Sequence, residues 1–243
     1  TSRRRGLRRA VACLERVRGE ALGVDIRLAQ NEDPRPMTQI NAVLVDPKAE
    51  GHVALGRVDL PVPRANEALV RVRATSLNRG EIRRASMGVA GQRIGWDFAG
   101  VVEKAAENGA GPHEGARVVG MLGAGAWAEL IAAPTESLAV LPDAVDFTRA
   151  ATLPVAGLTA LYGLDLARGL IARRVLVTGG TGGVGHFAIQ LAKVGGAHVT
   201  ATVRRPEQAK VVEEAGADAV VVGDGAIDGP LDFVLDGVGG PVL

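Results

Sequence analysis

Apolar and polar positions change rhythm once along this chain. Between residues 37 and 140 the apolar residues come in short runs broken by Gly and Pro, and the clearest run has a period of two. In 68–74, Val70 and Val72 alternate with Arg71 and Arg73, which puts one set of side chains on each face of an extended strand. The pattern predicts strands over 40–45, 53–58, 68–74, 97–103, 117–119 and 127–132, a turn over 61–66, and a short helix over 79–85. Several short strands separated by Gly and Pro predict a small barrel-like β domain.

Past Leu141-Pro142 a helical start over 147–151 hands the chain to a different pattern, so a boundary is expected near 140–155. A predicted strand at 175–178 runs into a helix with Phe187, Ile189, Leu191, Ala192 and Val194 apolar, ended by Gly195 and Gly196. A strand over 197–203 follows, and Pro206 opens a second helix that reaches Glu214 and closes at Gly216. Two further strands are predicted at 219–222 and 231–236. Alternating strands and helices predict a parallel sheet with right-handed crossovers, and an α/β fold class. Residues 223–230 are fewer than the ~10–12 of a helical crossover, so a linker or single turn is expected there.

The strand at 175–178 leads into Gly180-Thr181-Gly182-Gly183-Val184-Gly185, a Gly-x-Gly-x-x-Gly spacing. Gly180 is assigned the sharp turn, Gly182 the close approach of backbone to a pyrophosphate, and Gly185 the packing of helix on sheet. The helix start then offers unpaired N–H groups and a positive dipole end to phosphates. A glycine-rich turn without a ligand is the alternative, because 33 of 243 residues are Gly. The strand–helix–strand setting decides for a dinucleotide site. After the second strand, where an acid would hold a ribose 2′-hydroxyl, stand Arg204 and Arg205, and Glu207 comes only past the proline. Two guanidinium forks suit a 2′-phosphate, so NADP(H) is expected over NAD(H); two solvated arginines are the competing reading.

Composition removes several classes of function. Hydrophobic content of 47%, charged content of 23% and a formal charge of +1 describe a globular chain without bulk attraction for nucleic acid. No apolar run approaches ~18 residues, so no membrane partner is expected. Cys13 is the single cysteine, which excludes an intrachain disulfide and any multi-Cys zinc site and fits a reducing, cytoplasmic compartment. His52, His113, His186 and His198 lack ligand spacing and read as surface or packing residues. Residues 1–18 carry seven arginines against Glu15. A binding helix, an organellar presequence and an extension outside the main fold all fit; the third is adopted for 1–36.

The stretches 61–74, 77–81, 95–102, 115–119, 157–160 and the glycine loop, in that order, resemble the medium-chain dehydrogenase/reductase superfamily, most closely its zinc-independent quinone oxidoreductase-like branch. The resemblance covers about 37–243. It implies a GroES-like irregular β-barrel domain over 37–150 and an incomplete Rossmann NADP-binding domain over 151–243. It also implies that Asn78 and Thr159 position the nicotinamide ribose or carboxamide, against readings as a turn-capping Asn and a helix-start Thr. Asp236 and Val238, in Asp236-Gly-Val-Gly239, match the family's edge of the cofactor cleft. At the zinc-ligand positions of the alcohol dehydrogenases in this superfamily the chain has Asn78 and Gly95-Trp96-Asp97, which supply neither thiolate nor imidazole. No metal is therefore expected.

The implied activity is hydride transfer from NADPH to a quinone or α,β-unsaturated carbonyl. An enoyl-thioester reductase, a non-catalytic NADPH-binding module and nucleic-acid binding through the arginine arm are the alternatives. No proton donor is assigned; Tyr162, three residues past Thr159, reads as packing, and Glu81 and Asp97 as structural acids. A complete dinucleotide domain has about six strands against four here. The chain is therefore expected to be a fragment, poorly stable and weakly active alone, and a homodimer when full length.

Overall fold

A computed structural model describes residues 38–239, so the predicted extension over 1–36 lies outside the described residues. Two compact units appear: Val155 closes the first and Ala156 opens the second.

The first unit is antiparallel. Strands β1 (Gln39–Val45) and β2 (Val53–Asp59) form a hairpin in continuous register from Gln39 opposite Asp59 to Val45 opposite Val53. A five-stranded sheet runs β6-β3-β4-β5-β7, built from β3 (Glu67–Thr75), β4 (Asp97–Lys104), β5 (Arg117–Met121), β6 (Leu130–Pro134) and β7 (Leu138–Val140). Strand β3 lies between β6 and β4 and sends Ala68 and Val70 into the core beside Ile40, Phe98, Val118, Leu130, Ile131 and Leu138. On its outer face Arg71 pairs bidentately with Glu103 of β4, Nε to Oε2 at 2.6 Å and Nη2 to Oε1 at 3.0 Å. Helix α1 (Arg79–Met87) runs two residues past the expected 79–85 and buries Glu81 and Ala85. Helix α2 (Phe147–Ala151) starts at Asp146, whose carboxylate accepts the Arg149 N–H.

Two expectations need correction here. The strand predicted over 127–132 is displaced to β6, Leu130–Pro134, because residues 126–128 are held elsewhere. Val43 N–H donates to Trp127 O at 2.8 Å, and Trp127 N–H and Ala126 N–H reach Ile94 O and Gly95 O. The three-residue β7 has too little sequence to show a period and was not expected.

In the second unit four parallel strands lie in the order β10-β9-β8-β11: β8 (Arg174–Val177), β9 (His198–Val203), β10 (Ala219–Val222) and β11 (Phe233–Leu235). Val175, Leu176 and Val177 are all buried, as a central parallel strand requires. Helix α3 (Leu158–Asp165) precedes the sheet. Helix α4 (Gly183–Val194) lays Phe187, Ala188, Ile189 and Ala192 inward, and α5 (Ala209–Glu214) buries Val212. The predicted helix at 206–214 divides into a 3₁₀ turn, Pro206–Gln208, and α5. The fourth strand is shorter than the predicted 231–236. At Asp232 the ladder is only half made: its N–H donates to Arg174 O at 2.9 Å, but the Arg174 N–H turns to the Asp232 carboxylate at 2.8 Å, and Asp236 closes a turn.

The chain leaves β10 at one edge and enters β11 at the other without a helix. It crosses about three strand spacings, roughly 14 Å, which the ten residues 223–232 span in extended form. Strand order therefore reverses between β8 and β11. In parallel sheets, a crevice opens at the carboxyl ends of such a neighbouring pair.

Candidate dinucleotide loop and buried carboxylate cluster

At the carboxyl end of β8 the chain turns through Thr178 and Gly179. The turn assigned to Gly180 is made one residue earlier: Gly179 is the loop's glycine with positive φ, +62°. Gly180 packs instead. A Cβ there would meet Val212 Cγ1 at 2.8 Å and Ile189 Cδ1 at 3.1 Å, so the bare backbone lets the loop sit down on the sheet. Gly185, buried, would place a Cβ 2.3 Å from Gly179 O, which closes the first turn of α4 against the loop. Gly182 differs. It is exposed, it is the N-cap of α4 with no side chain to cap the helix, and its Cβ would meet only Gly179 O at 3.3 Å. The first-turn N–H groups of α4, on Gly183, Val184 and Gly185, lie outside the i→i−4 ladder. They present a positive dipole end at a solvent-open surface.

Strand β9 braces this loop. Gly180 N–H donates to Thr202 O at 3.0 Å, and Gly179 N–H to the Thr202 hydroxyl at 3.2 Å. From β11 comes a second brace. The buried Thr178 hydroxyl donates to Asp236 Oδ1 and accepts the Gly237 N–H at 2.9 Å; Asp236 also accepts from Val238 N–H at 3.1 Å and Gly239 N–H at 2.9 Å. The Thr178 hydroxyl, followed by the Val238 N–H, holds the Asp236 carboxyl below its ordinary range. Val238 lies against the loop, its Cγ2 2.9 Å from where a Gly179 Cβ would stand. The structure thus brings Gly180, Gly182, Gly183, Val184 and Gly185 together with Asp236 and Val238.

Arg204 and Arg205 follow β9 directly and both are exposed. Gln208 Oε1 accepts both of their backbone N–H groups at 3.1 Å, which fixes the bend. Their side chains are not equivalent. Arg205 Nε pairs with Glu207 at 3.0 Å, while Arg204 has no carboxylate within ion-pair distance among the described residues. Thr159 is exposed on the first turn of α3. Tyr162, read as packing rather than as a proton donor, is 42% exposed on the same helix.

The first unit holds a separate cluster that its sequence scarcely announced. Glu81 and Asp97 are fully buried. Glu81 Oε1 accepts the Trp96 N–H at 2.5 Å, and Oε2 accepts the Asn78 N–H at 2.7 Å and Asn78 Nδ2 at 3.1 Å. Asp97 Oδ1 accepts the Val155 N–H at 3.0 Å; Oδ2 accepts the Ser76 hydroxyl at 2.5 Å and Asn78 Nδ2 at 2.9 Å. Trp127 Nε1 donates nearby to Ser76 O at 3.2 Å. Burial pushes Glu81 up to about 7, against the hydrogen bonds from Asn78 and Trp96, and pushes Asp97 up to about 6, against those from Ser76, Asn78 and Val155. Asn78 is both the N-cap residue of α1 and the amide that joins the two acids. Ser76 and Trp127 were missed because only the fold brings them to this point.

Comparison with known proteins places these features. Residues 64–143 match the alcohol dehydrogenase GroES-like domain family, and residues 183–241 match the zinc-binding dehydrogenase family. A chloroplast envelope quinone oxidoreductase homolog of Arabidopsis thaliana is 38% identical over 182 residues, 68% of this chain and 55% of the relative. A trans-enoyl reductase of Aspergillus terreus is 32% identical over 209 residues, 76% of this chain and 69% of the relative. The solved quinone oxidoreductase from Coxiella burnetii superposes with a TM-score of 0.78 at 29% identity, covering 84% of this chain and 70% of that one. The chain thus spans little more than half the length of the Arabidopsis relative. Its first unit is a GroES-like domain and its second a Rossmann-like parallel sheet. No helix of the described residues is long and apolar enough to cross a membrane. With an open glycine loop at a strand-order reversal and relatives of this kind, the chain belongs to the oxidoreductases of the medium-chain dehydrogenase/reductase superfamily, in its quinone oxidoreductase-like branch.

Proposed function

We propose that this chain is the NADPH-binding and GroES-like portion of an oxidoreductase that reduces a quinone or an α,β-unsaturated carbonyl without zinc. The observation that carries this reading is the uncapped, solvent-open first turn of α4 beside Gly182, where a Cβ would meet only Gly179 O, at 3.3 Å, among the described residues. Gly180, Gly183, Val184 and Gly185 complete the cradle, with the N–H groups of the turn directed at a pyrophosphate. Arg204 takes the 2′-phosphate, with Arg205 contributing once it exchanges Glu207 for the ligand. Asp236 and Val238 form the cofactor's edge. Thr159 takes the nicotinamide end within the second unit. In the first unit the residue assigned to the nicotinamide is Asn78, through its side-chain oxygen, since its amide hydrogens are directed at Glu81 and Asp97.

Bound NADPH supplies a hydride to the electrophilic carbon of the acceptor. The chain's own groups named above would hold and orient the nucleotide. Zinc does not fit the positions aligned with zinc ligands. Asn78 and Trp96 offer neither thiolate nor imidazole, and each Glu81 and Asp97 oxygen already accepts an N–H or O–H bond. The Aspergillus relative favours a second reading, in which the acceptor is an enoyl thioester. The compartment in either case is the cytoplasm.

Calorimetric titration with NADPH and NADH tests the proposal. Saturable binding is expected, tighter for NADPH by about tenfold or more, the value of one charge-assisted contact. Absence of binding by both nucleotides overturns it. Turnover with a quinone, a short enone and an enoyl-CoA then separates the two readings.

A further inference from the structure

Two arginines of the first unit converge on one loop that nothing above has used. Arg84, on α1, donates from Nη1 to Gly123 O at 2.9 Å, and Arg93 donates from Nη2 to Gly125 O at 2.9 Å. Carbonyls two residues apart lie within about 7 Å of each other, so the two guanidinium groups face the same short span of backbone. Gly125 has φ +89°, and a Cβ there would meet Arg93 Nε at 3.2 Å and Cζ at 3.4 Å. Glycine therefore lets the Arg93 fork lie flat on bare chain. At Gly123 a Cβ would meet nothing within 4 Å, so the loop tip is open.

Arg93 Nε is buried without a hydrogen-bond partner. A buried guanidinium N–H left unpaired is costly, which makes the position a candidate for a missing acceptor. Among the described residues no carboxylate lies within ion-pair distance of Arg84 or Arg93. Burial also lowers the Arg93 pKa, the expected sign for a cation without a counter-charge. The loop is fixed to its neighbour by Leu122 N–H to Trp96 O at 2.8 Å, Ala126 N–H to Gly95 O at 3.0 Å and Trp127 N–H to Ile94 O at 3.2 Å. This ties it to the strand segment that leads into Asp97.

We propose that Arg84 and Arg93 form an anion subsite on the 123–125 loop that holds a phosphoryl group, and that this group belongs to the phosphorylated handle of a thioester acceptor. Two forks from different segments match a tetrahedral anion, whereas one fork alone satisfies a carboxylate. A neutral quinone would leave both cations unpaired. The second half rests on the oxidoreductase reading; the first half does not.

The chain's two tryptophans, Trp96 and Trp127, both lie in the strip bonded to this loop, so their fluorescence reports occupancy by inorganic phosphate. Arg84→Met and Arg93→Met are each expected to weaken phosphate binding about tenfold, and Arg93→Lys less; Arg57→Met, at an exposed arginine of β2, leaves it unchanged. Arg84→Met alters an exposed side chain, so it tests the subsite without disturbing the core. An undiminished phosphate response in the double Met variant overturns the subsite. For the acceptor, kcat/KM is measured with crotonyl-CoA, crotonyl-4′-phosphopantetheine and crotonyl-pantetheine. Loss in the Met variants on the phosphorylated substrates alone supports the assignment. If crotonyl-4′-phosphopantetheine is affected, the handle's own phosphate is bound; if crotonyl-CoA alone is affected, the nucleotide phosphates are. An equal loss on crotonyl-pantetheine overturns the assignment. Phosphate binding that needs both arginines, in a chain that binds neither NADPH nor NADH, upholds the subsite while refuting the oxidoreductase reading and the thioester half with it.

Discussion

Asn78 Nδ2 lies 2.9 Å from Asp97 Oδ2, and the same nitrogen reaches Glu81 Oε2 at 3.1 Å, so one amide holds two buried carboxylates together. A carboxylate only accepts, and this fixes which end of the Asn78 amide faces inward. Every oxygen of the pair is supplied with a donor, but all the donors are neutral. The cluster is hydrogen-bonded without being charge-balanced, and burial therefore still raises both pKa values.

That imbalance has a definite pH signature. The folded-state pKa of Asp97, about 6, lies above its ordinary 3.8. The folded chain then binds more protons than the unfolded one between those values, and stability falls as pH rises through that window. Glu81 acts in the same direction between 4.5 and about 7. Relative to Asp97→Asn, the unaltered chain is expected to lose on the order of 3 kcal/mol between about pH 3 and 7, with a plateau above. Thermal unfolding of both across that range measures this. Parallel curves would show that Asp97 does not titrate there.

Thr178 predicts the opposite slope. Its hydroxyl joins the ends of β8 and β11 by donating to Asp236 and accepting the Gly237 N–H. Thr178→Val keeps the shape but removes both bonds; Asp236 and Gly237 are exposed and can turn to water, so a loss of about 0.5–1.5 kcal/mol is expected. Because the Asp236 pKa is depressed, its contribution is present above its unfolded value and disappears as pH falls. Thr178→Ser should restore most of the stability at pH 7. Denaturant unfolding of the three chains decides, and a Ser variant as weak as Val would assign the effect to the lost methyl packing instead.

The parts of this fold visible in the sequence are those written in adjacent residues. The Val70–Arg71–Val72–Arg73 alternation announces β3, and the glycine spacing before α4 announces the loop. Long-range contacts are silent. The apolar run at 127–132 has strand composition, yet Trp127 is taken by Ile94, Val43 and Ser76, and the paired strand starts at Leu130. Glu81 and Asp97 are read as structural acids from sequence alone. Their raised pKa values depend on burial and on a shared amide, neither of which has a local pattern. Within the loop, spacing locates the glycines but assigns the turn to Gly180, although the positive φ belongs to Gly179.

The loop glycines should therefore separate by experiment. At Gly185 a Cβ would stand 2.3 Å from a backbone oxygen, so Gly185→Ala must shift the loop or the helix. A cost of about 1–3 kcal/mol, as for overpacking, is expected together with weakened NADPH binding. Gly182 has an ordinary extended backbone and only one contact, at 3.3 Å. Gly182→Ala should change stability by less than about 0.5 kcal/mol, as at most surface sites, while still weakening NADPH by obstructing backbone approach. Unfolding and nucleotide titration on the two variants test the split. Should Gly182→Ala bind NADPH normally, the pyrophosphate does not sit there.

Arg204 and Arg205 are neighbours in sequence but differ in what they already hold. Arg205 gives its Nε to Glu207 at 3.0 Å, so recruiting it to a phosphate means giving up that contact. Both partners are well exposed, and such pairs contribute little, so the exchange costs under about 1 kcal/mol. Arg204 starts without a carboxylate within ion-pair distance among the described residues. Arg204→Ala is accordingly expected to weaken NADPH by about tenfold or more and leave NADH unchanged; Arg205→Ala should have a smaller effect of the same kind. Glu207→Gln frees Arg205 and should tighten NADPH slightly, again without touching NADH. Titration of the three variants with both nucleotides provides the check. Equal changes for NADPH and NADH in Arg204→Ala would remove the 2′-phosphate from this corner, because the two cofactors differ only in that group.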